Sequence, residues 1–120
     1  MTSLLVLGSL NMFLVVALGA FGAHGLKNKL TEDAMKVYQT GVQYHMAHAL
    51  GLLLIGVLSG QLPEASLLGT AGWLLFAGIV LFSGSLYALS LTGIRKLGAI
   101  TPLGGLAFLA GWILVLISVL

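Results

Sequence analysis

The eight charged side chains of this 120-residue chain fall in only three places, and that distribution constrains the fold more than any motif does. Lys27, Lys29, Glu32, Asp33 and Lys36 lie together, Glu64 stands alone, and Arg95 and Lys96 are adjacent. Between them run four uncharged stretches. A bilayer core needs about 20 apolar residues per helical crossing, and each stretch is long enough to supply them. With 59% hydrophobic residues and 7% charged ones, the chain has too little polar surface to cover a soluble globule. It reads as an all-α, polytopic membrane protein: one compact bundle of four transmembrane helices in a single domain over 1–120. The spans are expected at about 4–23, 41–59, 67–90 and 101–120, from ~20 residues per crossing.

The most informative stretch runs from Thr31 to Ser59, where a polar helix start passes directly into an apolar span. Thr31 suits an N-cap, and Glu32 and Asp33 complement the positive end of the helix dipole. At 100° per residue, Gly41, Tyr44, His45, His48, Leu52, Ile55, Gly56 and Ser59 share a stripe of about 120°, opposite Leu50, Leu53, Leu54 and Val57. The first stripe is assigned to helix contacts and the second to lipid. In the first span the same counting groups Gly8, Asn11, Val15, Gly19 and Gly22. In the third it groups Gly72, Phe76, Ser83, Tyr87 and Ser90, and in the fourth Gly104, Phe108, Gly111 and Val115, with Trp112 beside them. Thr101 and Pro102 read as a cap followed by a first-turn proline. Tyr38, Gln39 and Gln43 read as anchors at headgroup level. The seventeen glycines suit close helix approach, with Gly19, Gly22 and Gly104 at contacts. Gly56 and Gly60 form a GxxxG pair that serves packing within one chain as readily as dimerisation.

All five Lys and Arg lie between spans one and two or between spans three and four. The positive-inside rule makes those loops cytoplasmic and puts both termini and the 61–66 loop outside. The first span lacks the basic segment of a secretory signal and reads as an anchored helix. Cysteine is absent, which excludes disulfides, thiolate metal sites and a cysteine nucleophile. No phosphate-binding loop, nucleophile elbow or nucleic-acid motif occurs.

Two groups of residues carry the remaining chemistry. Asn11, Tyr44, His48, Ser83 and Tyr87 form a candidate intramembrane polar cluster, since Asn11, His48 and Ser83 fall within about one to three helical turns of a common depth, with Tyr44 and Tyr87 nearer the cytoplasmic end. His48, near the centre of its span, is expected to bond to Asn11, Ser83 or Tyr87, while His45 lies nearer the interface and reaches water. His24, His45 and His48 form a candidate metal-binding or proton-sensitive set, because imidazoles at i and i+3 can share one metal or haem edge. No Asp or Glu falls inside a span to complete such a site, so no cofactor is predicted and a metal or haem stands as the alternative.

The segments GAFGAHGL at 19–26, QYHMAHAL at 43–50, and FSGSLYALSLTG with LGAITPLGG between 82 and 105 occur in an order that spans the chain. On these the chain resembles the small membrane protein family that groups bacterial proteins carrying domain of unknown function 423 with transmembrane protein 256. The resemblance implies a four-helix, multi-pass protein of the bacterial plasma membrane and brings no established activity. It also implies that other residues occur where this chain has His45, which moves interest to His24 and His48. The reading that results is a non-enzymatic integral membrane protein, embedded in the lipid bilayer and acting by self-association or as an accessory subunit of a membrane partner, with no role for nucleic acid. The alternatives are a small channel or carrier with a polar path near His48, Asn11 and Ser83, and a metal- or haem-binding protein.

Overall fold

A computed structural model describes residues 2–120 and contains four helices long and apolar enough to cross a membrane. Helix α1 spans Thr2–His24 and α2 spans Glu32–Gln61. Helix α3 spans Leu67–Thr92 with a π-helical interior at Ile79–Ser83. A 3-10 turn at Arg95–Ala99 leads into α4, Thr101–Val119. The longest dimension is 49 Å, which matches a bilayer of about 40–45 Å with its headgroups. The second helix begins as the sequence indicates, with the Thr31 hydroxyl accepting from the Ala34 amide at 3.1 Å. It then runs unbroken through Gly41. Helix α3 ends at Gly93, the one described residue with a left-handed backbone (φ 74°), a geometry glycine adopts without steric cost.

Consecutive helices are antiparallel, and glycines record where they meet. Near the termini Leu5 lies on Gly56 and Leu4 on Gly72; at the opposite end Gly22 faces the Tyr38 ring. Helix α1 packs chiefly on α2, α2 on α3, and α3 on α4. The arrangement is a skewed slab with α2 and α3 at its centre. Its apolar core of Leu4, Leu52, Ile55, Leu68, Ala71, Leu75, Ile79 and Phe108 occupies the half nearer the termini. Asn11, His45 and His48 lie near the middle depth of their helices, and the buried Ser83, Ser85 and Ser90 lie toward the other half.

The closest approach is between α3 and α4. A side chain at Gly104 would collide with the backbone of Phe82, and one at Gly111 would meet Leu75 and the Ala71 carbonyl. Glycine lets these helices touch along their backbones, and close packing is the chief source of attraction where lipid is as apolar as the interface. Phe82 belongs to the π turn, in which the Gly84 amide bonds back to Ile79, five residues earlier. The wider turn rotates the second half of α3 relative to the first, a feature that the period of the sequence did not reveal. Just beyond it, the Ser85 hydroxyl bonds the Phe82 carbonyl and the Thr101 hydroxyl, joining α3 to α4. Thr101 is therefore not a cap: it is already helical and its hydroxyl is spent across the interface, because Ile100 holds the cap position.

Other expectations also change. Gly19 is not tightly packed, since an added Cβ would lie 3.7 Å from Val42, an ordinary contact. Leu53 is half-buried and covers Gly8 rather than facing lipid. Tyr44 is 43% exposed. Tyr38 is buried, not an interfacial anchor: its ring fills the space over Gly22 and its hydroxyl donates to the Leu18 carbonyl. Gly56 packs within the chain, while Gly60 is exposed. Val115 is half-buried against the core, and Gly104, Phe108 and Gly111 are buried as assigned.

Overpacking a tight contact costs about 1–3 kcal/mol, more where backbone must move. Gly104→Leu is expected to lower the unfolding midpoint in lipid nanodiscs clearly, and Gly19→Leu to leave it nearly unchanged. Equal effects from the two would contradict the contact geometry.

Candidate functional site

The two histidines of α2 share one broad face but are offset by about 60° around the helix, enough for each to meet different neighbours. His45 points between α1 and α3. Its Nε2 lies 2.8 Å from Asn11 Oδ1, and its Nδ1 lies 2.8 Å from Tyr87 Oη. The Asn11 Nδ2 donates to the Leu7 carbonyl at 2.8 Å, which fixes Oδ1 as the atom facing His45. Direction follows along the whole chain: Tyr87 donates to His45 Nδ1, His45 Nε2 donates to Asn11, and Asn11 donates to the backbone of α1. Three spans are joined by side chains that are buried or nearly so; Asn11 and His45 are only 4% and 3% exposed. Above it, the Tyr38 ring lies 5.3 Å from that of Tyr87. On the same side, Ser83 reaches across to the Gly41 carbonyl at 2.7 Å.

His48 points instead toward α4. Its Nδ1 bonds the Tyr44 carbonyl at 2.7 Å, one turn back, and its Nε2 receives the Trp112 indole N–H at 3.0 Å. A carbonyl only accepts and an indole N–H only donates, so the imidazole is neutral with its proton on Nδ1. The ring lies face to face with Phe108, centroids 3.5 Å apart. Tyr44 runs parallel to it at 6.2 Å and touches Phe82 at 4.5 Å. These aromatic residues, with Pro102, Gly105, Leu106 and Leu109, line an open cavity of about 430 Å³ between α2 and α4. A second lateral furrow of about 410 Å³ lies between α1 and α3, walled by Leu10, Leu14 and Val80, with Asn11, His45 and Tyr87 at its floor.

The five residues expected as one polar cluster are thus divided. Asn11 and Tyr87 join His45, Tyr44 goes with His48, and Ser83 bonds backbone. None of Asn11, Ser83 and Tyr87 bonds His48, and His45 is enclosed rather than open to water. The reason is azimuth. Counting residues along spans gives depth, but which neighbour a side chain meets depends on how each helix is rotated, and the π turn alters that rotation in α3. Trp112 is the partner that sequence reasoning missed; its four-residue spacing from Phe108 was the available sign.

The histidines do not gather either. His24 is exposed at the end of α1, and all four ring nitrogens of His45 and His48 are engaged within the protein. Among the described residues no group of three or more His, Cys, Asp or Glu is placed to hold a metal ion.

Residues 18–105, which hold both histidines of α2 and the π turn, match the family model for the protein of unknown function DUF423. The chain belongs to the DUF423 family. It is 56% identical over 114 residues to a UPF0382 membrane protein of Bacillus subtilis, covering 95% of this chain and 93% of that one. A UPF0382 membrane protein of Staphylococcus haemolyticus is 54% identical over 114 residues, covering 95% and 92%. One from Staphylococcus epidermidis is 51% identical over 116 residues, covering 97% and 93%. No solved structure matches the chain. The DUF423 protein is accordingly a helical membrane protein, as its four apolar helices require.

In this family member the two imidazoles are expected as opposite tautomers, Nε2–H for His45 and Nδ1–H for His48, readable from ring nitrogen shifts by solid-state NMR in lipid. The same tautomer at both positions would contradict the bonding described. Replacing His45 by Leu strands two buried partners, each worth about 1–3 kcal/mol. His48→Leu strands only the indole N–H. Unfolding in lipid is expected to be easier for His45→Leu than for His48→Leu, and coupling between His45→Leu and Asn11→Leu should be clearly non-additive.

Proposed function

We propose that this protein is a non-enzymatic component of the bacterial plasma membrane that acts by assembly, with copies of itself or as an accessory subunit of a larger membrane complex. The observation that carries the reading is the internal closure of its polar chemistry. Among the described residues no buried side-chain nitrogen or oxygen lacks a hydrogen-bond partner. Both histidines are bonded at both nitrogens, and Asn11 and Ser83 are used between helices. A general acid or base must reach a reacting group, and a conducting path needs polar groups along one lumen. Here Asn11, His48 and Ser83 face three different surroundings. What is left open is lateral: the two furrows, and outward rows such as Leu103, Leu106, Leu109 and Ile113 on α4. Contacts in the plane of the membrane are what such a surface can make.

The orientation that goes with this reading puts both termini and Glu64 outside and the five Lys and Arg inside. A cysteine at position 64 should be labelled by a membrane-impermeant reagent from the outer face of intact cells. Labelling only from the cytoplasmic side would reverse the orientation. Assembly is tested by single-molecule photobleaching of the labelled full chain in native-membrane nanodiscs, together with cross-linking in cells. Multi-subunit particles or a reproducible membrane-protein partner are expected. Single copies without a partner at native abundance would overturn the proposal.

A further inference from the structure

The cavity beside His48 shares its side of α2 with another, nearer the membrane surface. A second cavity, of about 290 Å³, is lined by Asp33, Ala34 and Val37 of α2, Leu89 and Ser90 of α3, and Gly93 and Arg95 beyond α3. Asp33, Val37, Tyr44 and His48 follow one another at steps of four, seven and four, so they form a single stripe along α2. On α3, Phe82 serves the inner cavity and Leu89, two turns further on, serves the outer one. Both cavities therefore lie on the same side of α2. From Val37 to His48 the helix rises about 16 Å, close to half the hydrocarbon thickness of a bilayer.

Chemistry changes along this line. At the membrane surface, where Lys27, Lys29 and Lys96 are also found, the outer cavity brings an exposed carboxylate, Asp33, and an exposed guanidinium, Arg95, to walls made by different elements. Deeper, the walls become aromatic and aliphatic: Tyr44, Phe82, Phe108, Leu109 and Trp112. One negative and one positive group at headgroup level, above an apolar slot, is the complement of a molecule with a phosphate, an ammonium and a hydrocarbon chain.

We propose that these two cavities together form a binding site for a phospholipid with a zwitterionic, primary-amine headgroup, of the phosphatidylethanolamine type. Arg95 takes the phosphate, as guanidinium groups do with paired charge-assisted hydrogen bonds, and Asp33 takes the ammonium. One acyl chain follows α2 past Tyr44 into the slot against Phe108 and Trp112. Asp33 makes the preference: an anionic lipid such as phosphatidylglycerol satisfies Arg95 equally but offers the carboxylate no cation. The site is independent of assembly, and a protein that stayed single would still carry it.

The test is lipid retention by native mass spectrometry of the full chain, released from nanodiscs holding equal amounts of phosphatidylethanolamine and phosphatidylglycerol. Exposed ion pairs are weak, so a preference of about threefold for phosphatidylethanolamine is expected. Asp33→Asn should abolish the preference while keeping total retention, and Arg95→Gln should lower retention of both lipids. Lys96→Gln, next in sequence but not among the lining residues, should change neither. Gly105→Phe projects a ring into the slot from a position where an added Cβ makes only an ordinary contact, 3.9 Å from the Phe82 ring; it should reduce retention of both lipids in a protein that still unfolds cooperatively. Equal retention of the two lipids by the parent, an unchanged preference in Asp33→Asn, or a Lys96→Gln loss matching that of Arg95→Gln would each overturn the proposal. Displacement by soluble phosphoethanolamine as effective as by the lipid would assign the binding to the headgroup alone and overturn the role of the slot.

Discussion

A bilayer core contains no water to hydrogen-bond a stray polar group, and the hydrogen-bonded line from Tyr87 through His45 to Asn11 is how this chain meets that constraint at the centre of its bundle. Each member lies on a different helix, so the bonds that satisfy the groups also fix the mutual rotation of α1, α2 and α3. Rotation matters more here than in a soluble bundle. Apolar side chains gain little by turning inward when the surroundings are equally apolar, whereas an amide or imidazole turned to lipid loses several kcal/mol. A few polar side chains thereby set the register that the hydrophobic effect sets elsewhere.

The fourth helix is held by different means. It makes no part of that line, and its attachment rests on glycine at Gly104 and Gly111, where backbone meets backbone or a Leu side chain, on the Ser85–Thr101 hydroxyl pair, and on the Trp112 indole bonded to His48. The π turn at Ile79–Ser83 lies where these two modes meet. It presents Ser83 to Gly41 of α2 while offering the backbone of Phe82 to Gly104 of α4. One regular α-helical face could not satisfy both neighbours so closely, which gives the departure from regular geometry a packing reason.

The skewed slab follows from this division. Because α2 and α3 share the centre, α1 and α4 flank it on opposite sides, and a furrow opens beside each. His45 closes the floor of one and His48 the wall of the other. The i, i+3 spacing that suggested a shared ligand instead divides the two rings between separate environments.

By itself the sequence determined the four long apolar helices, the Thr31 cap, and most of the buried stripe on each helix. Those depend on hydropathy, charge position and the helical period, which are local. The burial of Asn11 and His48 was legible for the same reason, whereas the sequence places His45 within reach of water. Their pairing was not. Whether Asn11 meets His45 or His48, whether Thr101 caps a helix or bonds Ser85, and whether Tyr38 anchors at the interface or fills the space over Gly22 depend on how whole helices are rotated and how closely they approach. Only the tertiary structure decided those points, because the rotation is a collective outcome of glycine contacts, one π turn and the requirement that every buried polar atom in the bilayer find its partner within the protein.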